Sequence, residues 1–160
     1  MSSSDTASSG NGGPFLAFAK DFEGFRTWTS TPAGSATEPA STHTTGPRTV
    51  YVNREPKSGS AAFPVGTVIV KESADGPIES RTVFAMVKRG GGYNQDGAED
   101  WEWFELLNRD DKTVSIVWRG VGPPVGEKYG GDPNGGCNGC HATSRNNDFV
   151  QTTGLQLDGF

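Results

Sequence analysis

The chain of 160 residues is poor in the side chains that usually carry chemistry: two cysteines, two histidines and two methionines. Two cysteines cannot supply a disulfide framework. Two histidines leave little for a metal cluster built on imidazoles. No stretch approaches 18 consecutive apolar residues, so nothing in the sequence reads as a membrane span. Basic residues are outnumbered, 14 Lys and Arg against 19 Asp and Glu. A net charge of −5 excludes the basic face that a nucleic-acid binder needs. Hydrophobic residues make up only 32% of the chain. With 23 Gly and 10 Pro, that composition suits a loop-rich β protein whose core is completed by a large apolar cofactor.

What is scarce is also concentrated. Both cysteines and one histidine fall in Cys137-Asn138-Gly139-Cys140-His141. Cys-x-x-Cys-His is the attachment signature of c-type haem. Two thiols three positions apart can each add to one haem vinyl group, and the next histidine offers an imidazole nitrogen to the iron. Other readings compete. A zinc site would recruit distant His43, but structural zinc usually draws on two separated ligand pairs. A thioredoxin-like pair needs a strand-to-helix junction in a βαβ unit. A Cys137–Cys140 disulfide would close too short a loop to add much stability. Haem c, covalently attached, is the expected cofactor, with His141 as iron ligand.

The length suits one domain. Residues 1–13 read as a disordered Ser/Gly tether, and 14–160 as a single haem domain. Residues 1–13 contain no apolar segment of signal-peptide type. In bacteria, however, c-type haem is attached outside the cytoplasm. The start is therefore read as standing in place of an export signal, with a periplasmic location.

Phe15, Leu16, Phe18, Ala19, Phe22 and Phe25 follow at near-helical spacing, so 14–25 reads as an amphipathic helix. Residues 29–47, rich in Ser, Thr, Pro and Gly, read as a long loop containing His43. Five β-rich runs follow: 49–52, 66–72, 81–88, 101–107 and 113–118. Their short, turn-like links predict a mainly β fold (α+β) with a few short helices and a five-stranded antiparallel sheet. Alternation in the second run puts Thr67, Ile69 and Lys71 on one face and Val68, Val70 and Glu72 on the other. A lysine at that place either caps the strand in solvent or points into a cofactor pocket. Tyr51, Phe84, Trp101, Trp103 and Trp118 read as sheet core or haem-edge packing. Met86 reads as core, or as a sixth iron ligand in an electron carrier.

The order of motifs carries a resemblance. Arg48-Thr-Val-Tyr-Val52, Phe63-Pro-Val-Gly-Thr-Val-Ile-Val-Lys-Glu72, Trp101-Glu-Trp-Phe104, the haem motif and Asp148-Phe-Val150 together resemble the cytochrome P-460 family over roughly residues 48–150. The resemblance implies a mainly antiparallel β fold similar to cytochrome c′-beta, a five-coordinate haem and a homodimer. It also implies oxidation of hydroxylamine, or a related small nitrogen species, with a small redox protein as electron acceptor. In the family a lysine amine is bonded to a haem meso carbon, and that lysine falls on Lys71. The family arginine falls on Arg48, near the distal pocket or the propionates. The family's distal carboxylate has no clear counterpart between the lysine strand and the Trp strand; Asp96, Glu99 and Asp100 are the candidates there. A non-enzymatic binder of NO or CO, with Phe63 or Phe84 lining an apolar distal face, is the alternative. A plain electron-transfer cytochrome is a second.

Overall fold

The structure is a computed structural model that describes residues 13–33, 47–73, 76–127 and 136–160. Most of the expected tether, and His43, lie outside the described residues.

Among the described residues, six strands form one antiparallel sheet in simple chain order. They are β1 (Thr29–Pro32), β2 (Arg48–Val52), β3 (Val68–Ser73), β4 (Val83–Lys88), β5 (Trp101–Asn108) and β6 (Val114–Gly120). β2 to β6 correspond to the five runs of β-branched and aromatic residues, shifted by one or two positions at their ends. β1 corrects the expected count from five to six. Thr-Ser-Thr-Pro has no buried alternation, with three of its four residues exposed. The strand is defined by pairing with β2, Thr29 opposite Val52 to Pro32 opposite Thr49. It is also pressed from above. A Cβ at Gly154 would stand 2.2 Å from Thr31 Oγ1, so only glycine lets the C-terminal segment come so close.

Residues 14–25 do not form the expected continuous helix. The segment makes two short 3-10 turns, Ala19–Phe22 and Phe25–Thr27, separated by Gly24 at a left-handed φ of 69°. Besides the short bonds inside those turns, its backbone bonds to the sheet loops: Phe15 N–H to the Arg89 carbonyl and Gly24 N–H to that of Lys112. The periodic phenylalanines still do the expected packing. Phe22 and Phe25 are buried, and Phe22 meets Phe104 edge-on at 5.1 Å.

Strand alternation divides the interior into two apolar clusters. On one face Val68, Val70, Val83, Ala85, Val87, Phe104 and Leu106 pack under the N-terminal turns. On the other, Val50, Val52, Ile69, Met86, Trp101 and Trp103 pack under Phe149, Val150, Leu155 and Leu157. The covering segment is pinned by Asn147. Its Nδ2 donates to the Val150 and Leu155 carbonyls, and its Oδ1 accepts from Leu157 N–H. Between these layers runs α1 (Asn138–His141), one turn of helix that continues as 3-10 turns over Ala142–Asn147.

The first face also buries charge. Glu102 is 1% exposed and accepts two hydrogen bonds from Arg119, with Arg89 at 3.2 Å. Glu72, equally enclosed, is held by Arg26, Arg81 and Asn108. Both carboxylates are thus tied up in structure. No helix among the described residues is long and apolar enough to cross a membrane.

Candidate functional site

An open cleft lies between the second face of the sheet and the segment carrying α1. Val50, Ile69, Phe84, Met86, Trp103 and Val150 make its apolar lining, and Lys71, Cys137, Cys140 and His141 also line it.

The helical turn explains why the two cysteines meet one space. Cys137 precedes α1 and Cys140 lies within it, with His141 N–H donating to the Cys137 carbonyl at 3.1 Å. Three positions apart on one turn, the thiols project to the same side. Neither is in a disulfide.

His141 is fixed on two sides. Its Nδ1 lies 2.7 Å from the Phe149 carbonyl oxygen. A carbonyl can only accept, so Nδ1 carries the proton and Nε2 is left as the lone-pair nitrogen. The imidazole also lies against the Trp103 indole, with ring centroids 4.6 Å apart. The residue keeps some accessible surface where it lines the cleft, but its ring is deep in the protein. Burial pushes its pKa down to about 4, against the pull of the Phe149 carbonyl and assisted by the positive charge of Lys71. The neutral imidazole of a metal ligand is therefore the form present at neutral pH.

Asn138, a spacer residue in the pentapeptide, does more than fill space. Its Oδ1 accepts from Trp103 Nε1 (2.8 Å), Asn94 Nδ2 (2.8 Å) and Ala98 N–H (3.3 Å). Its Nδ2 donates to Asn94 Oδ1 and to the Val121 carbonyl. The 91–100 loop reaches this amide because residue 97 is glycine: a Cβ there would stand 2.2 Å from Asn138 Nδ2. Nothing in the sequence paired that loop with Asn138.

Lys71 points into the cleft and is not a solvent cap. It sits in a row of register partners running Thr31, Val50, Lys71, Phe84, Glu105 and Trp118 across the sheet. Arg48 shares this face; it pairs with Ser73, two residues beyond Lys71. Arg48 is not part of the cleft lining. Phe84 lines the cleft, whereas Phe63 is buried against Trp101 with centroids 6.0 Å apart.

Asp96 and Glu99 are exposed in the 91–100 loop and do not line the cleft. Asp100 accepts from Gly92 N–H at 2.8 Å, a turn-holding bond. One acidic residue that sequence reasoning did not weigh is Glu105, although it too is not part of the cleft lining. Of the three acidic residues within strands, Glu72 and Glu102 face the other way and Glu105 shares the lysine face. Trp118 Nε1 donates to it at 3.0 Å. Counting alternation from Trp101 and Trp103 along β5 would have found it.

Among the described residues no three His, Cys, Asp or Glu side chains converge as a metal-ion cluster. Comparison with protein-family models, with curated proteins and with solved structures gave no match.

Proposed function

We propose that the chain is a c-type haem protein of the cytochrome P-460 kind, oxidising hydroxylamine or a related small nitrogen species. One observation carries the reading: Cys137, Cys140 and His141 line one apolar cleft together with Lys71, which is far from them in sequence. The fit to haem can be checked residue by residue. The cleft is lined mainly by apolar side chains, neither of its cysteines is in a disulfide, and the one histidine in it has Nδ1 committed, leaving Nε2 for iron. Bound there, haem would supply an iron that takes up the substrate and accepts its electrons.

The chain's own groups then divide the work. Cys137 and Cys140 hold the porphyrin, and His141 holds the iron. Lys71 stands in the same lining, and its amine, once deprotonated, is a competent nucleophile for a third covalent link. Val50, Ile69 and Phe84 line the cleft with it. Oxidising hydroxylamine releases protons, and a carboxylate on the Lys71 face can take them. Glu105 has that place, so the role considered for Asp96 passes to Glu105. Arg48 is on the Lys71 face but outside the lining, and the resemblance alone gives it a role at the propionates or the distal pocket. A small redox protein receives the electrons, in the periplasm, from a homodimer.

The non-enzymatic alternative, NO or CO binding, is favoured by the largely apolar lining. The optical spectrum of the ferrous haem-loaded protein, with an acceptor-coupled hydroxylamine assay, tests the reading. A strongly red-shifted Soret band with hydroxylamine-dependent acceptor reduction is expected. An ordinary c-type spectrum without turnover would favour gas binding. A six-coordinate low-spin ferrous spectrum would favour an electron carrier.

A further inference from the structure

Behind the cleft, the buried pair Lys88–Asp148 is left unused by the reading above. Lys88 Nζ stands 2.6 Å from Asp148 Oδ2 and 2.8 Å from Oδ1. The two side chains are 7% and 9% exposed. Asp148 Oδ2 also accepts from Phe63 N–H at 2.9 Å. The Trp101 indole donates to the Asp148 backbone carbonyl at 2.8 Å and stands 3.4 Å from Oδ1. Lys88 lies over the Trp101 ring at 5.1 Å. Five contacts, from Phe63, Lys88 and Trp101, thus converge on one residue.

The backbone at that residue is unusual. Asp148 and Phe149 both take left-handed conformations, with φ of 53° and 68°. Neither is glycine. Such conformations persist only where the surroundings over-determine them. Aspartate tolerates the left-handed region; phenylalanine does so poorly. The result of the double reversal is specific: the Phe149 carbonyl is turned back onto His141 Nδ1 at 2.7 Å. The turn is closed from within by Phe149 N–H to the Ser144 carbonyl (2.8 Å) and Val150 N–H to that of Asn147 (3.1 Å).

A buried ion pair is weak support for stability, because desolvation offsets attraction. Its position next to the carbonyl that sets the His141 tautomer gives it a different use. We propose that Asp148, anchored by Lys88, is a positioning residue for His141: it locks the left-handed turn whose carbonyl holds the Nδ1 proton and so aims Nε2 into the cleft. The inference rests on the haem reading of the site. A hydrogen bond at Nδ1 raises the basicity of a ligating imidazole and tunes the metal it holds. Asp148 therefore acts through Phe149 and His141 and touches no reacting atom.

The haem-loaded protein tests this in two stages. Covalent haem content of the unaltered chain comes first. A chain that never takes up haem through its thiols overturns the site reading itself, before any variant is made. In the loaded protein, Asp148→Ala should lower the iron–histidine stretching frequency in the ferrous resonance Raman spectrum and shift the reduction potential upward. Asp148→Asn, which suits the left-handed region and keeps an acceptor for Phe63, should restore both toward the parent. A loaded Asp148→Ala protein with both readouts unchanged overturns the proposal and leaves the haem reading standing. A measurement on the unaltered protein covers the case in which the alanine variant does not fold. In the cyanide-bound ferric form, the proton on His141 Nδ1 should exchange slowly with solvent; fast exchange overturns the proposal.

Discussion

Replacing Asn138 with alanine should destabilise the protein far more than a spacer residue in a haem motif would suggest. The side chain satisfies two donors with no access to water. Trp103 is 4% exposed and Ala98 fully buried, and both donate to Asn138 Oδ1. Each buried donor left without a partner costs ~1–3 kcal/mol. The bonds to Asn94 and Val121 lie nearer solvent and add less. The sum for Asn138→Ala is roughly 2–5 kcal/mol, a large share of the 5–15 kcal/mol typical of a folded domain. In a chain of this length that corresponds to a fall in Tm of about 5–15 °C. Urea denaturation of the apoprotein measures it directly. The double variant Asn138→Ala, Trp103→Phe removes the indole N–H as well as its acceptor. It should recover about 1–3 kcal/mol relative to the sum of the single changes. A single variant within about 0.5 kcal/mol of the parent, or strict additivity in the cycle, refutes the reasoning.

Three further outcomes follow from the same geometry. In the apoprotein the depressed His141 pKa makes stability depend on pH: the unfolded chain takes up the proton first as pH falls. About 3 kcal/mol present above pH ~6.5 should drain away towards pH 4. His141→Asn should lose that part of the slope, and denaturation curves at pH 7 and 4.5 that shift equally in both proteins would count against it. Glu102→Ala strands the Arg119 guanidinium, whose protonated form Glu102 favours, and should cost about 3 kcal/mol; a loss below about 1 kcal/mol would show that solvent already screens the cluster. Glu105→Gln should lower hydroxylamine-dependent acceptor reduction by at least ~100-fold while haem content stays at the parent level, and undiminished turnover would remove Glu105 from proton transfer.

The sheet from β2 onward was legible because its strands alternate or run apolar over five to eight residues between turn-forming links. Lys71 and Glu72 on opposite faces followed from period two alone. β1 was not legible, since Thr29–Pro32 takes its form from the neighbouring strand and the glycine above it and carries no burial pattern of its own. The 14–25 helix failed for the opposite reason. The apolar spacing was there, but Gly24 and backbone bonds to the 89 and 112 carbonyls won over intrahelical bonding. In the site, the pentapeptide was readable as a local motif. Its supports were not: Phe149, Asn94 and Trp103 reach it through tertiary packing, and the Asp148–Lys88 pair spans 60 positions. Asp96 was favoured by its place in the chain, and it lies on the outside of a loop whose inner side is taken by Asn94 and Ala98.

The account depends most directly on what is bonded to Cys137, Cys140 and Lys71 in the mature protein. Mass spectrometry of a tryptic digest of protein recovered from a periplasm with haem-attachment machinery reads all three at once. The account predicts one haem carried by the peptide containing Cys137 and Cys140, with the Lys71 peptide joined to the same group. Free thiols at both cysteines, with no haem mass on either peptide, would contradict it.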